Sequence, residues 1–203
     1  MRRGLKPHNC LLGIAVPLSR EQFFHDLKPE TEKDFVKSRA RRMQLNAEAL
    51  WTIDYEPMVR FVNITTRELM NLGVTVITNF TLNDLTKIGN MDVFTLIAHW
   101  NENKSTIELN DKMVTTETLV GQVPVDFKGI FDLTVCHSIN LQTAIKKRFS
   151  NLVIANEHAA SVEYRLINYK YCMLYVRDKE CTYIDALTEI RKNIYLSTYS
   201  NKP

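Results

Sequence analysis

The chain has 203 residues, 45% hydrophobic and 24% charged, which suits one soluble domain long enough to bury a three-layer core without disulfide staples. A net charge of +3 and a pI near 8.6 are too mild to point to nucleic acid, and no run of 18 apolar residues is available to span a membrane. With only six glycines and neither GxGxxG nor GxxxxGK[ST], the chain lacks the raw material for a phosphate-cradling loop, and the absence of GxSxG removes the serine-hydrolase elbow.

In chain order, Met1-Arg2-Arg3-Gly4-Leu5-Lys6-Pro7-His8-Asn9 precedes a short apolar run, Cys10 to Val16, that stops at Pro17. That run is bounded like a buried strand and has no small-residue cleavage site, so it is not read as a signal peptide. Thr31 can cap a helix with Asp34 in the reciprocal capping-box position, and Phe35, Val36, Met43, Ala47 and Leu50 recur at helical spacing. Trp51 to Val62 is ambiguous and compatible with an extended stretch broken at Pro57. A helix over Thr65 to Leu72 is closed by Gly73.

Val74 to Thr78 is the next strand, and Thr81 with Asp84 opens a short helix that stops at Gly89. Asp92-Val93-Phe94-Thr95-Leu96-Ile97-Ala98 then runs straight into His99. Ser105 to Leu109 and Lys112 to Thr116 predict a small hairpin around Asn110-Asp111. Phe131-Asp132-Leu133-Thr134-Val135 runs straight into Cys136. Helices follow over Ile139–Phe149, over Ala159–Val176 with Val162, Leu166, Tyr169, Met173 and Val176 on one face, and over Tyr183–Ile194. The tail after Leu196 is expected to fray.

This alternation predicts an α/β fold, three-layer α/β/α with a mostly parallel sheet. We expect one domain over 1–203: an N-terminal strand and helix in 1–63, a His/Cys core in 64–150 and C-terminal helices in 151–196. The basic clusters Lys37, Arg39, Arg41, Arg42 and Lys146, Lys147, Arg148 read as solvated helix faces.

In open α/β sheets, sites gather outside the carboxyl ends of the strands. Two neighbouring parallel strands ending in His99 and Cys136 would set a base beside a thiol, the elements of a Cys-His dyad. Taken singly, Cys136 also reads as a small core hydrophobe and His99 as a packed strand-end residue. A thiol with a reference pKa of ~8.5 needs help to ionise, and a helix starting near Ile139 would supply its positive end. His137 reads either as a site-lining residue or as a polar opening to the next helix, and His8, His25 and His158 have no comparable context. Cys10, Cys136, Cys172 and Cys181 are scattered without a CxxC, which fits a reducing compartment and a cytoplasmic location. The sequons at Asn63, Asn79 and Asn103 carry no meaning without secretion. His99, Cys136 and His137 lack a second close ligand pair, so no metal is expected.

The segment Asp92 to Ser138 resembles the Rossmann-like core of the caspase-like cysteine peptidases, especially the CHAT branch of that clan. The matching pieces are Phe94-Thr95-Leu96-Ile97-Ala98-His99, Ser105-Thr106-Ile107-Glu108-Leu109-Asn110-Asp111 and Leu133-Thr134-Val135-Cys136. Tyr183-Ile184-Asp185-Ala186-Leu187 is similar to the closing helix of CHAT domains, and the likeness spans roughly Leu72 to Ile194.

The resemblance implies a thiol protease acting on a protein or peptide, with Cys136 as nucleophile and His99 as general base and acid. Backbone N–H groups of Cys136 and Trp100 would hold the oxyanion, with no cofactor, no nucleic acid and no membrane, and with room for a regulatory protein partner. The chain departs from the family at Trp100, where glycine is usual, and at Val135 and His137. Trp100 is the feature that favours a rival reading, a catalytically degenerate domain that binds or scaffolds proteins in signalling or defence. The pocket for the residue before the scissile bond is left open, with Glu102 and Asp132 as acidic candidates.

Overall fold

The computed structural model describes residues 6–101, 104–134, 139–155 and 160–199. Among them the strands are β1 (Cys10–Ile14), β2 (Thr75–Thr78), β3 (Val93–Ile97), β4 (His99–Asn101), β5 (Thr106–Glu108), β6 (Met113–Thr115), β7 (Ile130–Leu133) and β8 (Val153–Ala155). Every residue of β1 and of β3 is buried, as expected where helices cover both faces of a parallel sheet. The main sheet runs in the order β2-β1-β3-β7-β8, and each neighbouring pair is parallel. The chain is thus a three-layer α/β/α fold. β4, β5 and β6 form a separate antiparallel meander.

The helices are α1 (Arg20–Leu27), α2 (Phe35–Met43), α3 (Ala47–Leu50), α4 (Glu56–Asn71), α5 (Thr116–Gln122), α6 (Ile139–Arg148), α7 (Val162–Lys179) and α8 (Tyr183–Tyr199). Side-chain alternation along the strands splits the core in two. Cys10, Leu12, Ile14, Val93 and Ile97 pack with Phe23 of α1, Val36 of α2, Met58 and Val62 of α4, Leu166 and Met173 of α7 and Ala186 of α8. Leu11, Phe94, Leu96, Phe131 and Leu133 pack with Leu85 and Ile88, Leu119 of α5, Leu141 and Ile145 of α6, and the meander's Ile107 and Val114.

One glycine is required by its backbone conformation and another by packing. Gly73 takes φ +95 where α4 ends, a conformation costly for other residues. Gly13 lies against the Phe80 ring, where a Cβ would come within 2.6 Å of a ring carbon.

The structure corrects several boundaries. Trp51 to Val62 is helical: α3 runs through a π turn (Trp51–Tyr55) into α4. Pro57 has no N–H to donate and sits in the first turn of α4, while Glu56 N–H bonds the Trp51 carbonyl five residues back. The Thr31 helix starts instead at Phe35 and breaks at Gln44, which is left-handed at φ 54. Thr31 Oγ1 donates to the Asp26 and Lys28 carbonyls and so does not cap that helix. α1, α5 and β8 are additional elements, each short enough to escape periodicity. The Thr81–Asp84 capping box and the hairpin around Asn110-Asp111 form as the sequence predicts.

Candidate functional site

From β1 the chain leads outward to β2, and from β3 it leads to β7 on the other side. The carboxyl ends of β1 and β3 therefore flank the point where connections part, the usual position of a binding crevice in such sheets. Ala15 N–H still bonds the Ile97 carbonyl at 2.9 Å, and beyond it the two chains diverge. A cavity of about 270 Å³ opens there, walled by Val16, Ile97, Ala98 and His99 from the strand ends, by α2 and by the start of α7.

His99 does not prolong β3 as the sequence suggests. β3 stops at Ile97, and His99 begins β4, opposite Glu108 of β5. The carboxylate of Glu108 is almost wholly buried and accepts the backbone N–H groups of Asp34 at 2.5 Å and Phe35 at 3.0 Å. The meander therefore caps α2, which explains a helix start four residues after Thr31. Phe35, the first residue of α2, lays its ring 5.4 Å from the His99 imidazole. Burial pushes the Glu108 pKa up against those two hydrogen bonds, which favour the charged form.

Trp100 points the other way along β4, and its indole is buried in the second core beside Ile107 and Val114. Cys136, with Val135, His137 and Glu102, lies outside the described residues. The strand leading to Cys136 is described. β7 pairs in parallel with β3, Leu133 opposite Leu96, and Thr134 Oγ1 donates to the Leu96 carbonyl at 2.6 Å. His99 is the third residue after Leu96, and Cys136 is the third after Leu133.

Arg39 is the residue of the site whose setting the sequence misassigned, whereas Arg42 is exposed as read. Arg39 is 9% exposed rather than on a solvated face. It donates through Nε and Nη2 to Asp54, lies 3.7 Å from Glu163 and stacks over the Tyr55 ring. Burial works against its charge, but Asp54 and Glu163 outweigh it and hold the pKa above the ordinary value. Arg42 and Phe35 share its helical face and line the cavity, and Arg165 of α7 joins them. The i, i+4, i+7 spacing of Phe35, Arg39 and Arg42 was the available signal. Lys146 and Lys147 are exposed, as read.

Asp132, one of the two acidic candidates, is buried in the middle of β7 and accepts the Tyr183 hydroxyl. It borders a second cavity of about 150 Å³ shared with Arg165, Tyr169 and Arg191. Burial raises its pKa, opposed by Tyr183 and by the charges of Arg191 and Arg165. The described thiols are poor nucleophiles: burial pushes Cys10 up to about 12 and Cys172 higher still, and partly buried Cys181 is also raised. Among the described residues no three His, Cys, Asp or Glu side chains cluster to hold a metal, and no described helix is long and apolar enough to cross a membrane. No family model matches the chain, and no curated protein matches it.

Proposed function

We propose that the chain is a caspase-like cysteine peptidase of CHAT type, working in the cytoplasm on protein or peptide substrates through Cys136 and His99. One observation carries this reading: β3 and β7 are adjacent, parallel and in register, and in the sequence His99 and Cys136 each follow the paired Leu96 and Leu133 by three residues. In the proposed cycle His99 takes the thiol proton, and the thiolate attacks the scissile carbonyl. The oxyanion is held by backbone N–H groups of Cys136 and Trp100, and His99 then returns the proton to the leaving amine. Water releases the acyl group in a second step assisted by the same imidazole. The buried indole of Trp100 supports its role, because the side chain does not project toward His99.

The experiment is thiol labelling followed by substitution. At neutral pH an alkylator should modify Cys136 far faster than Cys10, Cys172 or Cys181, and Cys136→Ala should abolish peptide cleavage. His99→Ala should slow cleavage by about 10²–10⁴, the worth of a general base. Cleavage that survives Cys136→Ala rejects the mechanism. A slow-reacting Cys136 with no cleavage of acidic or basic peptides favours the second reading, a degenerate domain that scaffolds partners in signalling or defence, for which Trp100 in place of glycine speaks. Trp100→Gly is then the substitution to try.

A further inference from the structure

The cavity between the ends of β1 and β3 has a composition that peptide chemistry at Cys136 does not require. Its described lining holds Arg39, Arg42 and Arg165, and none of its twelve residues is acidic. Arg39 is anchored by Asp54 and Glu163, so its guanidinium is preorganised within the wall. Arg165 is buried and donates through Nε to the Ala160 carbonyl, which fixes it at the start of α7. Arg42 is exposed at the rim and has no ion-pair partner among the described residues.

The facing charges are three guanidinium groups against the carboxylates of Asp54 and Glu163, with Asp132 beyond Arg165 shared between it and Arg191. The N-terminus of the 18-residue α7 also borders the cavity, through Val162, its N-cap Ser161 and the preceding Ala160, and adds a positive helix end. Phe35, Val16, Ile97 and Ala98 supply an apolar floor. A cavity with cationic walls and an apolar floor at the switch point suits a small ligand group bearing negative oxygens.

We propose that this cavity is an oxyanion pocket, in which Arg42 and Arg165 bind a carboxylate or phosphate group while Arg39 and Phe35 shape the wall. Two sources carry that chemistry: an acidic side chain of a bound peptide, or a free phosphate or phosphate ester. The pocket does not rest on the chemistry of Cys136, and binding measured on the full-length Cys136→Ala protein separates the two proposals, since nothing is turned over.

The test titrates that protein, in a phosphate-free buffer of constant ionic strength, with inorganic phosphate and with a capped peptide containing one Asp, each against a control. The controls are chloride and the same peptide with Asn. Saturable binding of phosphate or of the Asp peptide alone is expected, and whichever saturates identifies the source. Arg42→Gln should weaken it by about tenfold or more, the worth of one charged hydrogen bond. Arg41→Gln removes the same charge from the same helix but lies outside the lining, paired with Asp34, and should leave affinity unchanged. Two results overturn the proposal: no saturation by either probe, or equal weakening by Arg42→Gln and Arg41→Gln, which would mean bulk electrostatics.

Discussion

On the face covered by α5, α6 and the meander, the sheet meets a run of rings: Phe80 against Phe94, Phe94 against Phe131, and Phe131 against Phe127 and Phe149, with centroids 4.7–6.5 Å apart. On the face covered by α4, α7 and α8, the same strands present Thr95 and Asp132 to Tyr169 and Tyr183. Apolar contacts of the first kind add stability with little geometric demand. Buried polar groups of the second kind must be matched to partners and contribute little net stability once matched. The polar face is also the one from which α2 and α7 bring arginines to the carboxyl edge. Both faces of the sheet thus carry an apolar core, but only one of them also buries polar groups next to the candidate site.

Substitutions can break or sharpen that contrast. The largest loss is expected from Phe131→Ala, which removes the ring at the centre of the aromatic run and should cost about 3–5 kcal/mol by chemical denaturation. A value under about 1 kcal/mol would mean the aromatic face does not dominate.

Glu108→Ala should cost about 2–3 kcal/mol, because it leaves two N–H groups of α2 without their acceptor. It should also shift the NMR resonances of His99, through loss of the α2 cap and the Phe35 contact. Unchanged His99 signals would disconnect the meander from the site. Gly13→Ala should cost about 1–2 kcal/mol by driving a methyl into the Phe80 ring.

The smallest effect is expected on the polar face. Asp132→Asn keeps an acceptor for Tyr183 and should stay within about 1 kcal/mol of the parent at neutral pH. Its sign depends on pH. The folded pKa of Asp132 is raised above its usual value, so the stability linked to its protonation is fully present below the unfolded pKa and is lost as pH rises through the folded one. The stability of Asp132→Asn relative to the parent should therefore increase from acid toward neutral pH. A difference that shrinks over that range would show the carboxylate to be net stabilised by Arg165 and Arg191.

Much of this molecule could be read without coordinates. The runs at Cys10, Asp92 and Phe131 announce strands because buried parallel strands must be apolar on both faces, the β-branched run at Val74 announces the more exposed edge strand β2, and their alternation with helices implies three layers. The Thr81–Asp84 box and the Asn110-Asp111 turn are local signals, satisfied within a few residues and therefore legible in the chain. Placing His99 beyond the end of β3 belongs to the same class.

What only tertiary structure decided is whatever depends on a partner far along the chain. Glu108 caps a helix more than 70 residues before it, so the Thr31 start was overruled by an acceptor that no local window contains. Arg39 is buried because Asp54 and Glu163 meet it from separate segments, and a charge run by itself says nothing about such meetings. The strand order that sets β3 beside β7, and the cavity where α2 and α7 close on the ends of β1 and β3, arise from packing between distant elements. Local backbone chemistry writes elements into the sequence, whereas a site is assembled from long-range contacts whose energies appear only once the chain has closed upon itself.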